Sequence, residues 1–422
     1  MANYALFVGI DWAAEEHQVA LVEPEGNQLK QLKVKHDGEA LKRFVMELLT
    51  RVDGDVSRVV VGIEMTADAV VEVLLERGIA VYGLNPKQLD RFRDRHSLAG
   101  AKDDRRDAFV LADALRSDLR LFHRMQLGDA RIVTLRELSR ARSEIVDQMQ
   151  ALNNRLWQQV HRYFPQMLEL GSFHTDPWLL DLFELVPTPR LLKCLKRPKV
   201  EALLKKRRIR RFDADTVMTT LGKTALPVAP GVAEAASEHA RMIVAVLRAA
   251  IAQREHADRR IEEVLAELEP APADDDAPPR TRDVDIVLSL PGVGPIVAAI
   301  LLAEATSALL QRDYATLRTR SGVAPVTSQT GKQRPVALMR HACHPRLRNA
   351  VHIWSGVAIQ HDERLRALYA RLRGAGASHG RALRGVGDRS LAMLVSMLKS
   401  NTVYDPSRRA SAARPAAPAA HP

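Results

Sequence analysis

The sequence predicts an α/β domain at the N-terminus, two long helices in the middle and a mainly helical C-terminal domain. Short apolar runs of strand length alternate with helical spacing up to about residue 120, which predicts the α/β domain. Heptad spacing then predicts the long helices. A segment rich in Pro, Ala and Asp at 271–282 predicts a linker before the last domain.

The N-terminal elements follow a defined order. Strands are predicted at Tyr4–Ile10, Gln18–Glu23, Leu29–Lys35, Arg58–Glu64 and Ile79–Leu84. The apolar spacing of Glu39–Thr50 predicts a helix, and a second helix is predicted to reach Arg77, where Gly78 stops it. Three meandering strands, then helix, strand, helix, strand and a final helix form the order of an RNase H-like fold.

The middle of the chain carries heptad spacing on two segments. Leu138, Ile145 and Leu152 recur every seven residues, as do Met149, Leu156 and Tyr163, and Arg241–Leu268 repeats the pattern less regularly. Two interpretations stay open: the helices pair as an antiparallel coiled coil, or they mediate dimerisation. The basic run Lys205–Arg211 lies between them and is either a solvated face or a nucleic-acid contact.

The composition indicates the kind of partner. The chain has 62 Lys and Arg against 51 Asp and Glu, a net charge of +11. Because counterion release drives the binding of basic proteins to polyanions, nucleic acid is favoured over acidic lipid. The two cysteines, Cys194 and Cys343, suit a reducing cytosol. No signal peptide and no apolar run of ~20 residues is visible, so we expect a cytoplasmic protein without membrane contact.

Acidic residues follow two of the predicted strands and begin one helix. Asp11 follows the first strand and Glu64 follows the strand over Arg58–Ile63, so both carboxylates are expected at one sheet edge. Asp104 and Asp107 are three residues apart at a helix start and share one face. Singly, such acids are often helix caps, but four converging carboxylates need cations. Since Mg²⁺ prefers oxygen ligands, the group predicts a two-metal phosphodiester site.

The C-terminal domain carries two glycine-containing turns and several cations. Leu290–Pro295 is typical of a helix-hairpin-helix element, in which Gly292 and Gly294 let backbone N–H groups approach a phosphate, although such turns also serve packing alone. The hydroxyl-rich loop Ser321–Lys332 either carries a nucleophile or forms capped turns. The candidate nucleic-acid-binding residues are Lys102, Gly292, Gly294, Lys332, Arg340, Arg346 and Arg348.

These motifs, in this order, resemble a known family. The N-terminal set is Gly9-Ile10-Asp11, Gly62-Ile63-Glu64, Asn85-Pro86 and Ala101–Ala108. The C-terminal set is Leu290–Gly294, Gly322–Thr327 and Cys343–Ala350. The chain is similar to the DEDD transposases of the one-ten family of insertion sequences, over most of its length outside the central insert.

The resemblance implies a RuvC-like domain in which Asp11, Glu64, Asp104 and Asp107 are catalytic and bind Mg²⁺, followed by a coiled coil and a C-terminal transposase domain. Such an enzyme acts on the DNA of element ends and target as a homo-oligomer, either dimer or tetramer. A serine of the C-terminal domain attacks DNA and holds a covalent phosphoester, in a site composed across subunits. A guide RNA encoded by the element selects the target.

The nucleophile departs from the family pattern. The family has Ser-Gly eight residues after the position of Gly322, and this chain has Thr330 there, followed by Gly331. Three hypotheses follow: Thr330 attacks, Ser328 attacks instead, or this copy of the element is impaired. We favour Thr330, although its methyl group crowds the hydroxyl.

Two other functions compete with a transposase. A structure-specific endonuclease of the Holliday-junction type would use the same acids without a hydroxyl nucleophile. An actin-like kinase or ATPase would also place an acid after its first strand, but the second glycine-rich phosphate loop is missing. The domain limits expected are 1–125 for the catalytic domain, 130–270 for the helices with the basic insert, 271–282 for the linker, 283–405 for the transposase domain and 406–422 for a disordered tail.

Overall fold

The structure is a computed structural model that describes residues 4–64, 68–96, 103–125, 129–268, 281–328 and 336–407. The chain forms two compact units, residues 1–129 and residues 130–422. No described helix combines the length and the apolar character needed to cross a lipid bilayer.

The first unit is a six-stranded mixed sheet with helices. Its elements are β1 (Leu6–Asp11), β2 (Glu16–Val22), β3 (Gln28–Lys35), α1 (Gly38–Thr50), β4 (Val59–Ile63), α2 (Ala69–Glu76), β5 (Ala80–Gly83), α3 (Pro86–His96), α4 (Asp104–Asp118) and β6 (His123–Arg124). The strand order is β3-β2-β1-β4-β5-β6. β1, β2 and β3 are antiparallel neighbours, whereas β4 runs parallel to β1 and β5 parallel to β4. This arrangement is compatible with an RNase H-like domain, and β6 adds an edge strand that the sequence did not predict.

Both faces of the central strands are covered, which explains their continuous apolar sequence. On one face, Val8 and Ile10 of β1 pack against α1 and α2. On the other face, Phe7 joins a cluster with α3 and α4. Gly9 lies under α4, where a Cβ atom would come within 1.9 Å of the backbone oxygen of Ala108. The helix therefore lies directly on β1 because residue 9 has no side chain.

Replacing Gly9 with alanine is expected to destabilise the first unit by about 3 kcal/mol, since the new methyl group overlaps backbone atoms of α4 that cannot rotate away. Urea denaturation of the full chain would measure the loss. Gly38→Ala is the matched control, because a Cβ atom at that position meets nothing within 4 Å. Equal stability of the two variants would contradict the packing argument.

The second unit is built on two long antiparallel helices. Its first elements are α5 (Ala130–His161), α6 (Trp178–Leu185), α7 (Arg197–Lys206), α8 (Ala214–Leu221) and α9 (Val232–Glu267). The start of α5 and the end of α9 share one apolar cluster, and the end of α5 and the start of α9 share another. Between the clusters the helices are joined by an ion pair of Arg142 with Asp258. The heptad residues Met149, Leu156 and Tyr163 are buried.

The rest of the second unit is mainly helical, as predicted. It contains α10 (Asp283–Ser289), α11 (Pro295–Glu304), α12 (Thr306–Leu310), α13 (Tyr314–Arg320), β7 (Val326–Ser328), β8 (Val336–Leu338), α14 (Pro345–His361), α15 (Glu363–Gly374) and α16 (His379–Ser400). The hydroxyl-rich segment Ser321–Lys332 was predicted as a loop, but its residues Val326–Ser328 form β7, which pairs antiparallel with β8. Trp354 of α14 lies at the centre of this region, fully buried, and its Nε1 donates a hydrogen bond to the backbone oxygen of Pro291.

Candidate active site

Two carboxylates lie at the carboxyl ends of adjacent parallel strands. Ile10 of β1 is opposite Ile63 of β4, so Asp11 and Glu64, one residue further along, occupy equivalent positions. Neighbouring strands are separated by about 4.8 Å, which brings the two backbones together at this edge. Asp11 is half-buried, and so is Glu64. The alternation of β1 directs Gly9 and Asp11 to the face that α4 covers.

The start of α4 contributes the other two predicted acids. Asp103 caps the helix through its side chain, which accepts a hydrogen bond from the backbone N–H of Arg105. Asp104 is exposed, whereas Asp107, one turn later, is only 2% exposed. The close contact of α4 with β1 at Gly9 therefore brings Asp104 and Asp107 to the edge that carries Asp11.

The acids influence one another electrostatically. Burial, together with the negative charges of Asp107, Asp104 and Glu64, raises the pKa of Asp11 to about 6, while the positive charge of Arg93 opposes the shift. The carboxylates around Asp11 therefore outweigh the positive charge of Arg93. The four acids thus form a site of unbalanced negative charge.

Asp107 has a partner that the sequence did not predict. Arg93 of α3 donates from Nε to one carboxylate oxygen at 2.7 Å and from a terminal nitrogen to the other at 2.8 Å. Burial alone would lower the pKa of Arg93, but its pairing with Asp107 and Asp90 raises it. No sequence signal identifies this pair, because it depends on how α3 packs against α4.

The donor set suits a hard divalent cation. Asp11, Glu64 and Asp104 offer only carboxylate oxygens, and none of them makes a hydrogen bond or ion pair through its side chain with another described residue. Within the described ranges, no three of the four acids bring ligand atoms within 4.8 Å of one another. The acids repel one another at this edge, and a cation between them would reduce the repulsion.

A second polar cluster lies near the same edge, on the face of α1 and α2. His17, His36 and Asp68 bring ligand atoms within 4.8 Å of one another. Their polar atoms are engaged in hydrogen bonds: His17 Nε2 lies 3.0 Å from His36 Nδ1, and Asp68 accepts from Trp12 and caps α2. We interpret this cluster as a structural network that fixes the chain after β1 and the start of α2.

Arg346, predicted to contact nucleic acid, belongs to a buried ionic network. Its Nε lies 3.1 Å from the carboxylate of Glu304, which is 4% exposed at the side chain. Arg140 and His344 approach the same carboxylate at 3.1 Å and 3.5 Å. Burial by itself would raise the pKa of Glu304, but these cations lower it. Arg320 donates to the backbone oxygen of Glu304, so several cations surround one acid.

The two glycines of the predicted hairpin differ in their surroundings. Gly292 has φ of +79°, and a Cβ atom there would lie 2.6 Å from the backbone nitrogen of Ala358 in α14. Packing against α14 therefore accounts for this glycine. Gly294 is the N-cap of α11, and a Cβ atom there would meet nothing within 4 Å. Only Gly294 leaves space for a ligand at the turn.

The structure describes some of the remaining predicted residues and leaves others outside its described ranges. Ser328 is the last residue of β7, whereas Thr330, Lys332 and Lys102 lie outside the described residues. The Nε atom of Arg340 is buried without a hydrogen-bond partner among the described residues. Arg348 lies in α14 and lines a cavity.

The basic run of the central insert is partly neutralised. Arg207 pairs with Asp181, and Arg211 pairs with Asp176. These ion pairs hold the insert against α6 and the segment that precedes it. Lys205 and Lys206, at the end of α7, are exposed.

Two segments of the chain, one in each compact unit for most of its length, match models of known protein families. Residues 8–165 match a family model described as "Transposase", that of the DEDD transposase of IS110, and residues 284–370 match a model described as "Transposase IS116/IS110/IS902 family". A protein named "Putative transposase y4uE", from Sinorhizobium fredii, is 43% identical over 49% of this chain and 58% of its own length.

Two further relatives are similar over almost their whole length. The Streptomyces coelicolor protein named "Mini-circle putative transposase for IS117" is 29% identical over 96% of this chain and 97% of its own. The "Insertion element IS900 uncharacterized 42 kDa protein" of Mycobacterium paratuberculosis is 26% identical over 97% of this chain and 99% of its own. Each of these two similarities includes both compact units.

Proposed function

Since this chain belongs to the IS110/IS116/IS902 family of transposases, we propose that it is the recombinase of a bacterial insertion sequence. It cuts and joins DNA at the acidic edge of its first unit, which we define by Asp11, Glu64, Asp104 and Asp107. The observation that carries the proposal is the position of Asp11. It lies with Glu64 at two adjacent strand ends, beside the start of α4, and its pKa is raised by burial and by three other carboxylates.

In this proposal Asp11, Glu64, Asp104 and Asp107 hold divalent cations, two Mg²⁺ ions in the fully assembled site. When bound, the cations supply charge neutralisation for the attacking and leaving oxygens of a phosphodiester. The residues themselves fix the place of this chemistry. β1 and β4 set Asp11 and Glu64, the packing of Gly9 sets α4, and Arg93 holds Asp107 in one orientation.

We assign the attacking hydroxyl to Thr330, with Ser328 as the alternative. The hydroxyl oxygen forms a phosphoester with the cut strand, and the displaced strand end leaves with a free hydroxyl group. Support comes from the sequence pattern after Gly322 and from the pair β7 and β8, which brackets this segment.

The proposed partners follow from the family and the charge. They are the DNA of element ends and target, a guide RNA encoded by the element, and further copies of this chain in a dimer or tetramer, in the cytoplasm. We further propose that α5 and α9 act as a coiled coil, that the turn between α10 and α11 acts as a helix-hairpin-helix element through Gly294, and that the domain limits are those expected from the sequence.

The test is recombination of a donor plasmid in cells that express this protein with the native flanking DNA of its gene. Glu64→Gln should abolish junction products, because it removes one charge from the acidic edge without changing side-chain size. Glu76→Gln is the matched control, since Glu76 is an exposed carboxylate at the end of α2. Products that persist in Glu64→Gln would refute the proposed site.

The same assay separates the transposase from a structure-specific endonuclease. Thr330→Ala should abolish strand joining, and Ser328→Ala should retain it. Covalent protein–DNA adducts, trapped and mapped by mass spectrometry, should carry the DNA on Thr330. An adduct on Ser328 would contradict the assignment, and cleavage that survives both substitutions would favour the endonuclease.

A further inference from the structure

A cavity of about 370 Å³ lies between the end of α13, α14 and the start of α16. We call it the basic pocket. The lining residues used below are Ser321, Arg348, Asn349, His352, Ser355 and Arg384. Its volume is in the range of sites that accept a small molecule or one unit of a polymer.

Two arginines in the basic pocket have no acidic partner among the residues that the structure describes. A terminal nitrogen of Arg384 lies 3.4 Å from the sulfur of Met339, and one of Arg348 lies 3.9 Å from the sulfur of Cys343. Neither forms an ion pair with a described carboxylate, and the pocket lining contains no Asp or Glu. The neighbouring arginines differ, since Arg318 pairs with Asp388 and Arg346 with Glu304. The pocket therefore holds two positive charges with no described carboxylate beside them.

The floor of the basic pocket is formed by buried, hydrogen-bonded side chains. Ser321 and Ser355 are fully buried, and their hydroxyls donate to the backbone oxygens of Arg318 and Val351. A Cβ atom on Gly387 would lie 2.8 Å from the Ser355 hydroxyl, so α16 is already in close contact with α14. Because the surrounding helices are already closely packed, neighbouring side chains have little room to move into the cavity. The cavity is therefore a preformed site with cations at its sides.

We propose that the basic pocket binds one nucleotide unit of a polynucleotide. Arg348 and Arg384 bind the phosphate, because guanidinium groups without a carboxylate partner are the preferred ligands of phosphate oxygens. The sugar and base enter the cavity above Ser321 and Ser355, and Asn349 and His352, both exposed on α14, offer hydrogen bonds to the base edge. This inference rests on the proposed function, which supplies nucleic acid as the partner.

The experiment measures binding of the full chain to short fluorescent single-stranded DNA and RNA of one sequence over a range of salt concentrations. Arg348→Ala and Arg384→Ala should each weaken binding about tenfold. Each should also lower the slope of log K against log salt by about 1. Arg371→Ala is the matched control, because it removes an exposed arginine on α15 outside the pocket, and its Kd should equal that of the wild type.

A second variant tests the shape of the pocket separately from its charge. A Cβ atom on Gly380 meets only Arg384, at 3.9 Å, so Gly380→Trp adds a large side chain beside the pocket without removing a cation. It should weaken binding about as much as the arginine variants, while the salt slope stays that of the wild type.

The outcomes are distinct. Loss of affinity for DNA alone assigns the pocket to a DNA strand, and loss for RNA alone assigns it to an RNA strand. Wild-type affinity in Gly380→Trp, equal loss in Arg371→Ala, or no binding by the wild type would overturn the proposal. So would competition by inorganic phosphate as strong as that by a nucleoside monophosphate, since this would indicate an anion site only. The assay requires no strand cleavage, so it can succeed even if Glu64→Gln refutes the proposed catalytic site.

Discussion

Replacing Asp11 with asparagine should lower the strand-cleavage rate by about a hundredfold to a thousandfold and, in metal-free protein, raise the stability of the first unit. The loss of activity follows from removing the carboxylate that lies among three others at the acidic edge. The gain in stability follows from removing a charge that burial and neighbouring carboxylates disfavour. Opposite signs for activity and stability are expected of a functional site rather than a structural ion pair.

The stability effect should depend on pH. The folded-state pKa of Asp11 is raised from 3.8 to about 6. The protonated form is therefore favoured in the folded state, and the stability that this contributes is complete below about 3.8 and is lost as the pH rises through about 6. Because Asp11 is partly exposed, we expect solvent screening to limit the loss to about 1 kcal/mol.

Thermal melts with a chelator at pH values between about 3 and about 8 would measure this effect; these limits bracket the two pKa values of Asp11. The melting temperature of the wild type should fall relative to that of Asp11→Asn as the pH rises. Added Mg²⁺ should restore the wild type near pH 8 and leave the variant unchanged. Parallel melting curves for both proteins at every pH would contradict the electrostatic account.

Replacing Glu304 with alanine should destabilise the second unit by about 3–5 kcal/mol, because it leaves the half-buried Arg140, Arg346 and His344 without their shared anion. Urea denaturation followed by circular dichroism would measure the loss. Glu137→Ala is the matched control: Glu137 is an exposed residue that pairs with the same Arg140 from the surface of α5, so its loss should cost less than about 1 kcal/mol.

The ionic network also predicts acid sensitivity. The pKa of Glu304 is lowered from its ordinary value of 4.5, so the stability that this carboxylate contributes is present above about 4.5 and is lost as the pH falls below it. Glu304→Gln should therefore remove most of the stability difference between neutral and acidic pH. An unchanged acid transition in this variant would show that the cations around Glu304 are compensated by other groups.

The sequence predicted the parts of the first unit that depend on local patterns. The buried strands β1 and β4 have continuous apolar sequences that end at Asp11 and Glu64, so their position followed from composition and chain order. β6 was missed because two residues, His123–Arg124, carry no periodicity. β7 and β8 have three residues each and were missed because strands this short also show no clear alternation.

The contacts within the sites could not be predicted from the sequence. The Arg93–Asp107 pair and the cations around Glu304 join residues that only tertiary packing brings together. Gly292 illustrates a related difficulty: the same glycine serves a phosphate-binding turn or close packing of helices, and only the distance to Ala358 distinguishes them. The sequence shows that Gly292 can adopt a positive φ, but only the position of α14 shows that this conformation serves helix packing.

The antiparallel pair of α5 and α9 bears on the cooperativity of unfolding. Apolar contacts at the two ends of the pair belong to separate clusters, and the ion pair of Arg142 with Asp258 lies between them. An ion pair couples the unfolding of two adjoining segments less strongly than continuous apolar packing does. The end near Met149 can therefore open while the end near Ile261 stays folded. We therefore expect the second unit to unfold in two steps, and the loss in Glu304→Ala to fall on the step that includes the cluster around Ile261.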